Sequence, residues 1–276
     1  MTVGIVAACK HEEKTAIVLC CDWQGTLGDF IKSDDTDKMR YIGTRATVLL
    51  AGTLTEADEL VFECDAPVKL FSSKADPARS DPDMQEYLNG LRDAVARRKS
   101  ALVKDYIRRT LSIDDRDFWQ NGKQYLTATE HEQLLRKIMA IDLGTEIIIG
   151  STRADDDDAI VRIRSCGLVS WEDQFSTIGS GGLIAESFLH QYDFADQIGL
   201  MTCLYRVYAA KVAAEKNPYV GQGTSFEILH GGHRFDLSDD GVKYLKKKVK
   251  NRREPRLEFK SDFLKVLEDE KKPKAP

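Results

Sequence analysis

The 276-residue sequence has no run approaching the ~18 consecutive apolar residues of a membrane-spanning helix. Its opening residues, MTVGIVAACKHEEK, carry neither a basic lead nor a long apolar core, so a secretory leader is not expected. None of its six cysteines forms a C-x-x-C pair, and most lie in apolar runs. Reduced cysteines serving as small core residues, in the cytoplasm, are the expectation. There is no excess of positive charge: 40 Lys and Arg against 45 Asp and Glu leave a net −5, which argues against a general grip on nucleic acid. The five histidines show no metal-ligand spacing, and neither a metal nor a cofactor is expected. No internal repeat and no clear linker are present. What is there is 42% hydrophobic and 31% charged residues, the composition of a folded chain able to bury its own core.

Apolar, β-branched runs at Val3–Cys9 and Thr15–Cys21 predict two strands joined by the polar turn at 10–14. A third run covers Arg45–Ala51. Helices are expected after Thr53-x-x-Glu56, read as a capping box, after Asp81-Pro82, and after the capping box Thr127-x-x-Glu130. The polar segment Ser112–Gln124 reads as an insertion. Strands are predicted at Thr145–Gly150, Ala159–Arg164, Phe175–Ile178 and Ser225–Leu229, and helices at Leu183–Gln191 and Asp193–Lys216. Blocks of strands and helices in this order predict an α+β layered fold rather than β-α-β units. One domain over residues 1–240, with a helical extension at about 66–144, and a charged helix or tail over 241–276 are expected.

Five features carry candidate chemistry: Thr2 directly after Met1; Asp22-Trp23-Gln24-Gly25-Thr26-Leu27-Gly28 closing the second strand; Asp37-Lys38; Ala51-Gly52-Thr53 opening a helix; and Gly179-Ser180-Gly181-Gly182 opening another. Each alone has a plain structural explanation. Thr2 starts a strand, Asp22 and Lys38 suit an ion pair, and Ser180 suits a helix N-cap. The ordered set resembles the proteasome β-subunit family of N-terminal nucleophile (Ntn) hydrolases, and its HslV-like bacterial members in particular. The resemblance covers roughly residues 2–65 and 145–235.

The resemblance implies an αββα sandwich of two stacked antiparallel sheets between helical layers. It also implies a threonine-type endopeptidase that assembles into self-compartmentalising rings, takes polypeptide substrates, and has an ATPase unfoldase as a partner. Thr2 would become the nucleophile once Met1 is removed, its own α-amine serving as the base. Lys38 would favour the ionised hydroxyl, and Asp22 would pair with Lys38 and offset its burial. The Gly52 N–H would face the oxyanion, and Ser180 would orient the amine. Asn217 aligns with an Asp of the family's nucleophile network, as a residue that hydrogen-bonds without charge. Leu50, two residues before Gly52, would shape a pocket for an apolar substrate side chain.

Two alignments of the amino terminus are open. Matching Val3-Gly4 to a Val-Gly pair common in the family leaves the nucleophile's position empty. Matching Thr2 to the nucleophile lengthens the first hairpin by about four residues. An even insertion shared by both arms keeps every side chain on its face, with Val3 opposite Asp22 and Thr2 opposite Trp23. That second alignment is preferred here. A non-catalytic ring subunit and an Ntn amidohydrolase acting on a small molecule are the alternative functions. The apolar positions spread along Met84–Leu111 suggest a subunit contact. Asp155–Asp158 reads as a solvated loop, His230-Gly-Gly-His233 as a turn, and the basic stretch Lys243–Arg256 as a solvated or partner-docking face.

Overall fold

The computed structural model describes residues 2–12, 14–27, 31–33, 36–73, 84–153, 158–191, 194 and 198–251. Among these, the backbone forms two five-stranded antiparallel sheets, a two-stranded ribbon and seven helices. The first sheet has the order β10 (Phe175–Ile178), β1 (Gly4–His11), β2 (Lys14–Asp22), β11 (Thr224–His230), β12 (His233–Asp236). The second runs β5 (Met39–Ile42), β6 (Ala46–Gly52), β7 (Thr145–Ser151), β8 (Ala159–Ile163), β9 (Val169–Glu172). The ribbon pairs β3 (Gly25–Leu27) with β4 (Ile31–Ser33).

The continuous apolar runs of β1, β2, β6 and β7 follow from burial on both faces, which removes the usual alternation of polar and apolar residues. Val6, Ile17, Leu19 and Leu229 of the first sheet meet Leu49, Ala51, Ile148 and Ile160 of the second in one apolar cluster between the sheets. On its other face the first sheet packs Ile5, Ala7, Val18 and Phe226 against α5 (Gly182–His190) and α6 (Leu200–Ala214). The outer face of the second sheet packs Val48, Leu50, Ile147 and Val161 against α1 (Leu54–Ser72) and α2 (Met84–Leu111). A smaller cluster around Ile107, Phe118, Leu134 and Ile138 joins the end of α2 to α3 (Asp115–Tyr125) and α4 (Ala128–Met139).

Several expectations change. Ser112–Gln124 is mostly helix α3, N-capped by the Asp114 side chain, and Phe118 buries into the satellite cluster. Its polarity is that of a helix with one covered face. That cluster, together with α1, also covers the apolar positions of α2, so the uncovered surface expected along Met84–Leu111 is largely satisfied within the chain. Thr53 is the N-cap of α1 by position, but its side chain makes no capping bond. Glu56 instead pairs with Arg98 of α2. The capping box at Thr127 and Glu130 forms as expected. The last long helix runs from Leu200, with Ile198 O accepting Lys10 N–H and Gly199 bridging to Lys10 just before it; Asp193, its expected start, lies outside the described residues. The boundary expected at 240 falls inside α7 (Asp239–Lys250), which is capped by Ser238 and buries Leu245 in the core beside α6. Met1, Gly28, Asp81-Pro82, Asp155–Asp157 and residues 252–276 lie outside the described residues.

Candidate active site

The site forms where the first hairpin begins. Pairing from His11↔Lys14 to Gly4↔Cys21 continues in register to Val3 and Asp22, whose N–H donates to Val3 O at 3.3 Å. The hairpin therefore places Val3 opposite Asp22, as the expected turn at Glu12-Glu13 requires. The Asp22 carboxylate folds back on the start of β1, where Oδ1 accepts the Val3 N–H at 2.9 Å and the Thr2 hydroxyl.

Lys38 sits just before β5, on the second sheet's side, anchored through its carbonyl, which accepts Leu50 N–H at 3.0 Å. Its Nζ lies 2.6 Å from Thr2 Oγ1 and 2.8 Å from Asp22 Oδ1. Thr2, Asp22 and Lys38 are 3%, 0% and 4% exposed. Burial pushes the Lys38 ammonium below its ordinary pKa, and the adjacent Asp22 charge pulls it back up. A cation this close to a hydroxyl favours its alkoxide, and with little water present the interaction is weakly screened.

The second oxygen of Asp22 is also occupied. Oδ2 accepts Gly221 N–H at 2.8 Å and Gln24 N–H at 3.3 Å. Gly221 has to be glycine, because a Cβ there would stand 2.5 Å from Gln24 Cβ. The turn holding Gly221 is fastened from below by Lys211 of α6, whose fully buried Nζ donates to Gln222 O at 2.9 Å and pairs with Glu215. Lys211 does not stand out in the sequence. The Gly221-Gln222-Gly223 spacing was a signal for close backbone approach, without saying approach to what.

The Gly179–Gly182 turn closes over Thr2 from the other side. Gly179 is left-handed at φ +83°, and a Cβ on it would overlap the Thr2 carbonyl oxygen. Gly181 N–H and Ser180 Oγ donate to that same oxygen at 3.1 and 3.4 Å. The N-cap of α5 is Gly181 rather than Ser180, so Ser180 holds the Thr2 backbone and does not cap the helix. Asn217 acts one step further out: its Nδ2 donates to Ser180 O at 2.9 Å, and its Oδ1 accepts Tyr219 N–H.

Gly52 ends β6 at φ +107°, packed so closely on Gly144 that a Cβ would stand 2.6 Å from Gly144 O. Amides alternate sides along a strand. Leu50 N–H meets Lys38 O, and Thr53 N–H meets Gly144 O on the opposite side. The Gly52 N–H therefore falls on the Lys38 side of β6. The burial of Leu50 corrects the expectation for its side chain. Its side chain is enclosed, 1% exposed, in the cluster facing α1 and α2.

The six candidates therefore divide into three groups. Thr2, Asp22 and Lys38 touch one another, Ser180 and Asn217 form a chain that holds Thr2, and Gly52 stands on the Lys38 side of the neighbouring strand. All six cysteines are free; Cys166 is exposed and the other five are buried. No helix among the described residues is long and apolar enough to cross a membrane. No family model matches the chain, and no curated protein matches it.

Proposed function

We propose that the chain is a threonine-type peptidase of the Ntn-hydrolase kind, with Thr2 as its nucleophile after removal of Met1. The observation that carries this reading is the convergence of Thr2 Oγ1, Lys38 Nζ and Asp22 Oδ1, from three separate segments, into one buried hydrogen-bonded group. A structural ion pair needs only Asp22 and Lys38. Bringing a residue next to the start of the chain onto both of them is what the chemistry of an N-terminal nucleophile needs.

The free Thr2 amine would take the hydroxyl proton as Oγ1 attacks the substrate carbonyl. Lys38 would stabilise the developing alkoxide, and Asp22 would hold Lys38 in place. The Gly52 N–H would donate to the oxyanion. Collapse of the tetrahedral intermediate would expel the leaving amine with the proton from the α-ammonium, leaving an ester on Thr2. Water, deprotonated by the same amine, would then release the acid. No step needs a cofactor. A nucleophile of this kind is always armed, so a self-associated, enclosing ring in the cytoplasm fits it, with an unfoldase feeding polypeptide substrate. These points rest on the family resemblance.

A non-catalytic role for the chain is favoured by one observation: Thr2 is 3% exposed and its hydroxyl is engaged by Asp22. Hydrolysis of a fluorogenic peptide panel by wild type and Thr2→Ala separates the two readings. The peptidase reading expects turnover that falls at least about 10³-fold in Thr2→Ala and is partly retained in Thr2→Ser. Equal rates in wild type and Thr2→Ala would assign any turnover to a contaminant and favour the non-catalytic role.

A further inference from the structure

At the far end of β1, nine residues from Thr2 and so about 30 Å away along an extended strand, a second cluster forms. His11 ends β1, Glu12 occupies the turn after it at φ +49°, and His230 ends β11. One ligand atom from each of the three lies within 4.8 Å of the other two. The imidazole rings of His11 and His230 meet edge to face with centroids 4.8 Å apart. Strand alternation explains the meeting. Ile5, Ala7 and Cys9 of β1 and Phe226 and Ile228 of β11 all face the helical layer, so His11 and His230 project on that same face from either side of β2.

We propose that His11, Glu12 and His230 bind one divalent transition-metal ion, with zinc(II) the best match to the donor set. Two borderline imidazoles with one hard carboxylate are a donor set that suits zinc and leaves a fourth, exchangeable position. The second observation concerns the state of His230. Its Nδ1 lies 3.2 Å from Thr15 O, an oxygen that can only accept. Nδ1 therefore carries a proton, and in the neutral ring Nε2 holds the electron pair that a metal takes. A metal-bound histidine commonly has its other ring nitrogen donate to a backbone carbonyl in this way. Ligand atoms around tetrahedral zinc stand about 3.4 Å apart, given bonds of ~2.1 Å. Side-chain rotations of about 1–1.5 Å would close the cluster, and Glu12, exposed in its turn, is free to make the largest one. The ion would staple the β1–β2 turn to the β11–β12 turn. Its role would be structural or regulatory, independent of the peptidase reading.

The test uses the full-length chain, stripped with a chelator and titrated with zinc(II) in competition with a chromophoric chelator. One equivalent should bind per chain and raise Tm by about 5–10 °C at a hundredfold excess over Kd. His11→Ala and His230→Ala should each weaken binding at least 100-fold and Glu12→Gln at least 10-fold. His233→Ala, across the turn from His230, should change it less than 3-fold. Unchanged affinity in both histidine variants would overturn the site, as would no binding by wild type below about 100 µM. If the variants misfold, cobalt(II) bound to wild type decides. Visible bands of tetrahedral nitrogen and oxygen ligation support the proposal. An octahedral spectrum, or thiolate charge transfer from Cys166, overturns it.

Discussion

Two fully buried carboxylates lie on the first sheet, and they are treated differently. Asp22, at the end of β2, has both oxygens occupied: Oδ1 by the Thr2 hydroxyl, Val3 N–H and Lys38, and Oδ2 by Gly221 and Gln24 N–H. Glu227, in the middle of β11, points between the sheets. It accepts the Thr47 hydroxyl on Oε1, and Arg234 Nε stands 3.3 Å from the same oxygen, off the line of a hydrogen bond. Its Oε2 receives no hydrogen bond among the described residues. Burial, helped by the Asp236 charge, pushes the Glu227 carboxyl up to about 7, against the pull of Thr47, Arg234 and the Tyr41 hydroxyl. A buried charge is tolerable when its donors are complete, and otherwise the group tends to become neutral. The backbone at Asp22 is arranged to keep an anion beside a cation and a hydroxyl. At Glu227 the surroundings leave the proton in play.

The comparison is broken most severely at Lys38. Lys38→Met should abolish peptide turnover, by at least about 10³-fold, while leaving Asp22 with its four other donors. The cost in stability should be roughly 3–5 kcal/mol, because a buried carboxylate loses its cation, read by chemical denaturation. Near-wild-type turnover in the folded variant would remove Lys38 from the mechanism. The effect at Glu227 should be on stability alone. Its folded pKa is raised, so the folded state binds the extra proton between about 4.5 and 7. That contribution is fully present below 4.5 and is lost as pH rises through 7. The loss between pH 4.5 and pH 8 amounts to up to about 3 kcal/mol. Glu227→Gln should flatten this part of the pH–stability curve, and an unchanged slope between pH 5 and 8 would show that Glu227 is not its source. The smallest effect is expected at Asn217, which reaches Thr2 only through Ser180. Asn217→Ala should cost about 1 kcal/mol of stability and slow turnover about 10-fold or less.

Legibility from sequence followed the separation of the interacting residues. The first hairpin could be read because its apolar runs and polar turn set the register, and the register alone brings Val3 to Asp22. Lys38 was legible only through the motif order, since nothing local to Asp37-Lys38 says which strand its side chain crosses to. The roles of Gly221 and Lys211 were not legible, because their partners lie across the sheet or on another element. The His11–His230 meeting was missed for the same reason: a search by ligand spacing finds pairs on one element, not pairs brought together across β2. Leu50 rested on the family resemblance alone, and nothing in its own strand signals whether that face of β6 is open or, as here, covered by α1 and α2. The helix in the α3 segment was not read because, of its three aromatic side chains, Phe118 alone is buried while Trp119 and Tyr125 stay exposed among polar residues.

The central claim is that Thr2 is a free N-terminal nucleophile activated by Lys38. Intact-protein mass spectrometry, before and after treatment with a peptide epoxyketone directed at N-terminal threonine, tests it most directly. The account predicts a chain lacking Met1 that gains one adduct at Thr2, with adduct formation lost in Lys38→Met. Retention of Met1 throughout a preparation that hydrolyses peptides would contradict it.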